Sequence, residues 1–256
     1  MSTIKPGVLV ISHGSREPKW VSLVDEAVGK LAARLDMPVY SSYLELVEGR
    51  LIQDGITALE SKGVTDLLVI PLFVSAGSTH VDEIAYAIGA KDVPELETEL
   101  DLFQVQARVH FGTPMDDDPD VALMVWDKVK ALSVQPEKEV VLLIGHGSRH
   151  GSFRRRWEQG MSSLGGRVSE ISGTNADYAL LSPGDVRDKA ILWKERGCDV
   201  IVAPLFLSEG YFTEKVIPER LAGLNCRYSG HTLLPHPLLT QWMESQAVHL
   251  LQSLNL

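Results

Sequence analysis

Apolar positions along the chain follow two spacings in alternation. Val8–Ser12 and Val140–Gly145 are short runs of β-branched and leucine residues that lead into His-Gly, the pattern of parallel strands buried on both faces. Between Pro18 and Leu35 the apolar residues are Trp20, Leu23, Val24, Ala27, Val28, Leu31 and Leu35. That spacing predicts an amphipathic helix with Pro18 in its first turn. Further along, Pro38–Leu46 predicts a strand, Leu51–Ser61 a helix, Asp66–Val74 a strand, Val81–Ile88 the start of a helix and Leu102–Gly112 a fourth strand. Strand–helix alternation implies right-handed crossovers and an α/β fold: an open, mainly parallel, flavodoxin-like sheet with helices on both faces. Ligands of such sheets bind beyond the carboxyl ends of the strands. His13 and the segment Ser75–His80 both fall at such ends.

The pattern then repeats. Val8-Leu-Val-Ile-Ser-His-Gly-Ser-Arg16 returns as Val141-Leu-Leu-Ile-Gly-His-Gly-Ser-Arg149, an offset of 133 residues. Leu68-Val-Ile-Pro-Leu-Phe-Val-Ser-Ala-Gly77 returns as Ile201-Val-Ala-Pro-Leu-Phe-Leu-Ser-Glu-Gly210 at the same offset. Thr113-Pro-Met-Asp-Asp-Asp-Pro119 and Thr232-Leu-Leu-Pro-His-Pro237 each open an apolar-periodic terminal segment. A shared offset marks a tandem duplication with its junction near Ser133–Glu139. The expected domains are residues 1–134 and 135–256.

Composition narrows the partners. The 256 residues suit two domains of about 130 each, and 45% hydrophobic residues suffice for buried cores. Against 24 Lys and Arg stand 34 Asp and Glu, a formal charge of −10. Nucleic acid and anionic membrane surfaces are therefore not expected partners. The whole excess sits in residues 1–132, with 11 basic and 21 acidic residues, whereas the remainder carries 13 of each. The longest strongly apolar run, Leu67–Val74, is interrupted by Pro71 and is too short for a membrane span. No export leader is discernible. Cys198 and Cys226 are isolated, as buried thiols of a cytoplasmic protein would be.

The candidate chemistry lies at the strand ends. His13 follows strand one and His80 follows strand three, and neutral imidazoles are common ligands of divalent transition metals. Glu45, at the end of strand two, would complete such a site. Gly14 and Gly77 are expected to thin the backbone so that a large flat ligand can approach. The competing interpretation makes His13 a helix cap and His80 a solvated loop residue. Two histidines at equivalent ends of sequence-distant strands favour ligation.

Three segments together, Ser12-His-Gly-Ser-Arg16, Tyr43-Leu-Glu-Leu46 and Pro71-Leu-Phe-Val-Ser-Ala-Gly-Ser-Thr-His-Val-Asp-Glu-Ile84, resemble the sirohydrochlorin chelatase family. These are cobalt- and iron-inserting, ATP-independent class II tetrapyrrole chelatases, related in fold to protoporphyrin ferrochelatase, whose longer members carry two chelatase-like halves. The resemblance covers nearly the whole chain. It implies that His13 and His80 bind metal and assist catalysis, with Glu45 as a further metal or proton-handling residue. The metal, Co2+ or Fe2+ with Ni2+ in the same class, is then a substrate, and no organic cofactor is expected. Sirohydrochlorin is a polycarboxylate, so Arg16 is the best single candidate to meet it, with Ser15, Ser75 and Gly77 lining its approach and Ser78 as a further hydroxyl. The fused halves also imply a monomer.

Two departures stand out. His80 lies nine residues after Pro71, one more than in many members. In the second half His146 is retained, but the offset puts Thr213 at the position of His80 and, after a small gap, a residue near Ala179 at that of Glu45. The second half is expected to be a degenerate copy. The arginine run Arg149, Arg154, Arg155 and Arg156 is either a substrate contact or a solvated helix face. Asp116–Asp118 are expected in a solvated loop, His236 at the surface, and the tryptophans in packing. Two other functions remain open. One is phosphoryl transfer through a phosphohistidine, disfavoured because Ser12, not arginine, precedes His13. The other is a non-catalytic metal or tetrapyrrole carrier, which needs the same ligands.

Overall fold

The computed structural model describes residues 4–254. The first half runs β1 (Pro6–Ser12), α1 (Pro18–Ala32), β2 (Val39–Tyr43), α2 (Ile52–Ser61), β3 (Asp66–Pro71), α3 (Thr79–Ala87), β4 (Arg108–Phe111) and α4 (Pro119–Val129). The second runs β5 (Glu139–Gly147), α5 (Gly151–Ser172), β6 (Asn175–Ser182), α6 (Val186–Glu195), β7 (Asp199–Pro204), α7 (Ile217–Leu221), β8 (Arg227–Tyr228) and α8 (Pro237–Ser253). Each half contributes one parallel four-stranded sheet, ordered β2-β1-β3-β4 and β6-β5-β7-β8. The expected α/β duplication is therefore the observed architecture.

The central strands are the most apolar because they are covered on both faces. Val8, Leu9, Val10 and Ile11 of β1 and Leu67, Leu68, Val69 and Ile70 of β3 are fully buried. Leu9, Ile11, Leu67 and Val69 pack with Ile52, Ile56 and Leu59 of α2 and Ile84 of α3. In the second sheet, Val140, Leu142, Ile144, Val200 and Val202 pack with Val186 and Ala190 of α6 and Ile217 and Leu221 of α7. Cys198 and Cys226 are free, partly buried thiols beside that second core.

Three predicted strands are shorter than their apolar runs, and β3 stops at Pro71. β2 ends at Tyr43 because Leu46 turns into the left-handed region (φ 69°). β4 begins only at Arg108. Before it, the backbone N–H groups of Gln104 and Gln106 donate to the side chains of Gln53 (2.9 Å) and Glu60 (2.6 Å) instead of to a neighbouring strand. The acidic triplet is no solvated loop. Asp116 accepts from Ala76 N (2.9 Å), Asp117 accepts from Ser163 and Arg167, and Asp118 caps α4 by accepting from Asp120 N (2.9 Å). His236 is no surface residue either: only 10% of its side chain is exposed, and its ring accepts from Leu238 N at the start of α8.

The compact packing units differ from the two sequence halves. One unit comprises the chain up to Phe73, Thr79–Pro114 and Leu239 onward; the other comprises Val74–Ser78 and Met115–Leu238. Thus α8 serves the first sheet: Thr240 donates to Ala27 O (3.3 Å), Glu244 pairs with Arg34 (2.9 Å) and Leu250 packs near Gly112. Helix α4 serves the second, packing on α5 and β7, and Lys128 donates to Pro235 O (2.8 Å).

Each sheet buries one acid under an edge-strand arginine. Asp66 pairs with Arg108 and His110, and Glu139 with Arg227. The Glu139 side chain is fully buried. Burial alone would raise its pKa, but N–H donation from Gln135 and Val134, the Ser133 hydroxyl and Arg227 outweigh that and hold it down at about 2. The same bonds clamp the segment between the halves onto β5. Because the folded-state pKa is depressed, the stabilisation is present above the unfolded carboxyl value and is lost as pH falls toward 2. Glu139→Gln is expected to cost about 2–3 kcal/mol at pH 7. The gap from wild type should close between pH 4.5 and 2 in urea unfolding; an unchanged gap at pH 3 would refute this account.

Candidate active site

The site forms where β1 and β3, neighbours in the sheet, release their chains toward helices on opposite crossovers. Strand order reverses there, which leaves a crevice at the carboxyl ends. The β1–β2 pairing continues past the strands, with Leu44 N donating to Ser12 O (2.8 Å) and Glu45 N to His13 O (3.1 Å). Gly14 adopts φ +99°, and a Cβ there would lie 2.0 Å from Glu45 O. The loop carrying Glu45 is pinned from beneath. Arg50 donates twice to Asp25 (2.7 and 2.5 Å) and lies 5.0 Å over the Tyr43 ring, whose hydroxyl also donates to Asp25 (2.6 Å). Burial and the Asp25 carboxylate push Tyr43 up to about 12, so it remains a donor at any physiological pH.

His13, His80 and Glu45 come together. The two imidazole rings meet edge to face with centroids 4.8 Å apart. His13 Nε2 lies 3.7 Å from Glu45 Oε1. His13 Nδ1 faces the Gly14 carbonyl (3.2 Å), which can only accept, so this nitrogen donates there and, in the neutral ring, Nε2 is the free nitrogen turned toward Glu45. Nε2 and the carboxylate converge on one point, which a proton on the imidazole or a cation between them would fill. The side chains of His13, His80 and Glu45 are 39%, 40% and 54% exposed, open to an incoming ligand. Among the described residues, no group of three or more His, Cys, Asp or Glu side chains is placed so that it could hold a metal ion.

The sequence reading missed Glu83. It sits one helical turn after His80 and takes His80 Nδ1 at 2.5 Å, and its other oxygen accepts from the Thr98 hydroxyl (3.1 Å). The bond from His80 holds the Glu83 carboxyl below the usual range. The signal was present as His80-Val-Asp-Glu83, an i,i+3 pair at the start of a helix.

Other expected residues have structural partners. Ser15 Oγ accepts from Glu17 N (3.0 Å) at the entry to α1, and Arg16 is exposed beside it. Ser75 is 3% exposed and accepts from Gly77 N (3.0 Å), which removes its hydroxyl from solvent. Gly77 leaves space for protein, not for a flat ligand, since a Cβ there would lie 2.3 Å from Trp157 and 2.6 Å from Phe153 O. Gly14 likewise makes room for Glu45. The arginine run does not converge: Arg154 pairs with Glu158 (2.7 Å), and Arg156 lies 4.3 Å over Phe153.

The second half repeats the turn without the chemistry. His146 Nδ1 faces Gly147 O (3.0 Å), and a Cβ on Gly147 would lie 2.2 Å from Ser182 O. Ser182, not a residue near Ala179, therefore occupies the place of Glu45. The ring beside His146 is Phe212 (5.0 Å, edge to face), in a π-helical turn over Phe212–Val216. Thr213 is 3% exposed and bonds Gly210. Where the first half has a carboxylate and an imidazole, the second has a hydroxyl and a phenyl ring.

Solved structures place the fold among the chelatases. The chain aligns over 96% of its length with SirB from Bacillus subtilis with Fe3+, covering 96% of that chain (TM-score 0.73, 20% identity). It also aligns over 96% of its length, and 98% of the other chain, with CbiX described as the terminal enzyme for biosynthesis of siroheme in denitrifying bacteria (TM-score 0.62, 13% identity). A family model described as CbiX matches twice, at residues 7–132 and 140–249. The chain belongs to this CbiX family of sirohydrochlorin chelatases. In sequence it is 28% identical over 153 residues to the sirohydrochlorin ferrochelatase of Bacillus subtilis, a match that spans 59% of this chain and 55% of that relative. It is 26% identical over 126 residues to the sirohydrochlorin cobaltochelatase of Methanococcoides burtonii, spanning 48% of this chain and 94% of the relative.

The close approach at Gly14 gives a direct test. Gly14→Ala forces a Cβ against a backbone oxygen at a positive φ and is expected to cost at least about 2 kcal/mol, more than the left-handed conformation alone. Gly147→Ala should cost a similar amount in thermal unfolding, because the same contact exists at Ser182 O.

Proposed function

We propose that the chain inserts a divalent metal, Co2+ or Fe2+, into sirohydrochlorin without ATP, using the His13–His80–Glu45 cluster. The observation that carries this reading is the convergence of His13 Nε2 on Glu45 Oε1 at 3.7 Å, with the His80 ring beside them. Imidazole nitrogen and carboxylate oxygen are a suitable donor set for both ions. The cluster's open geometry suits a metal that must be handed on, since a closed cage would retain it.

Metallation replaces two pyrrole N–H protons with one cation. His13 and His80 present nitrogens to the incoming metal, and Glu45, the most exposed of the three, accepts protons and releases them to water. Arg16, exposed just after the His13 turn, is the cation placed to meet ring carboxylates. The relatives' names divide between iron and cobalt, and the donor set suits either ion.

The test follows the visible absorbance of sirohydrochlorin with Co2+, Fe2+ and Ni2+ in separate reactions. His13→Ala and His80→Ala should each lower turnover by about a hundredfold or more. His146→Ala, whose ring is flanked by Phe212, should retain most activity. Equal losses at His13 and His146 would overturn the single-site reading, and stoichiometric binding without turnover would make the chain a carrier.

A further inference from the structure

We infer that Glu83 is a positioning residue that sets the tautomer and aim of His80, held in turn by Thr98. The inference rests on the reading above that His80 receives the metal. A carboxylate can only accept, so the 2.5 Å contact requires the hydrogen on His80 Nδ1 and leaves the lone pair on Nε2. A histidine ligand whose second nitrogen donates to a carboxylate has its ring orientation fixed and its donor nitrogen made more basic.

An i,i+3 ion pair at a helix start is often worth little, but this one is built into its surroundings. Both Glu83 oxygens are engaged, and the side chain is only 24% exposed. The Thr98 hydroxyl accepts from Leu100 N (3.1 Å), which leaves its own hydrogen for Glu83. The irregular segment that carries Thr98 is anchored on α3 in turn. Asp82 accepts from Glu95 N (2.7 Å) and pairs with Lys91, and Phe103 N donates to Ala87 O (2.8 Å). The long connection between α3 and β4 therefore supports one imidazole through two successive hydrogen bonds. His13 has no such partner; its Nδ1 meets a neutral carbonyl. The two histidines are consequently unequal, with His80 the stronger and more rigid donor.

The test uses the full chain and Co2+ alone, titrated by the visible absorption of bound cobalt, beside the KM for Co2+ in the sirohydrochlorin assay. Glu83→Ala should weaken Co2+ binding by about 10–100-fold and raise the KM for Co2+ by a similar factor, with a smaller effect on kcat. Glu83→Gln keeps an acceptor for Nδ1–H and should recover most of that loss; it also decides the matter if the alanine variant fails to fold. Wild-type Co2+ affinity in Glu83→Ala, where His80→Ala loses it, would overturn the role of Glu83 and leave the chelatase reading standing. Equal losses in Glu83→Ala and Glu83→Gln would also overturn it. A wild type that binds Co2+ but never metallates the ring would sink the chelatase reading, while the titration still decides Glu83.

Discussion

Strand β1 is hydrogen-bonded on both sides, to β2 from Val8↔Val39 through Ser12↔Tyr43 and to β3 from Pro6↔Asp66 through Ile11↔Pro71. Every group at its carboxyl end inherits that double constraint. His13 stands one residue beyond Ser12, Glu45 two beyond Tyr43, and Gly14 permits backbone contact between the turns. The imidazole–carboxylate spacing thus starts from main-chain pairing and a missing methyl group, with Arg50, Asp25 and Tyr43 holding the loop from beneath. Side chains need only choose rotamers on a frame that is already fixed.

The comparison of the halves separates scaffold from chemistry. Both retain the buried central strands, the His-Gly turn at positive φ, the oxygen of the next loop against that glycine, and an acid tied to an edge-strand arginine. Around the shared turn, Ser182 stands in the place of Glu45, and Phe212 lies beside His146 as His80 lies beside His13. The acidic excess is likewise confined to residues 1–132, the half that carries His13, Glu45 and His80.

The parallel sheets, the duplication and the triad His13, His80 and Glu45 were legible because they rest on periodicity and on strand ends, both local in sequence. Other features depend on contacts that no spacing reveals. Glycines expected to admit a ligand admit Glu45 O and Trp157 instead, since a glycine reports that space is needed and not what fills it. Leu102–Gly112 reads as a strand by its alternation, yet side chains of α2 capture its backbone donors before Arg108. Glu83 escaped because a carboxylate one turn from a histidine is common on helices; its meaning came only with Thr98 from a distant segment. The destination of α8 was likewise invisible, because its apolar face is compatible with either sheet.

That destination bears on how the chain is made. The first sheet is complete in its strands by Phe111, but the helix that buries Leu239, Trp242 and Met243 beside it is encoded after the whole of the second sheet. During synthesis the half bearing His13 and His80 emerges first and is closed last. Until α8 is made, the apolar face that it covers stays exposed on the nascent chain, the kind of surface that favours aggregation.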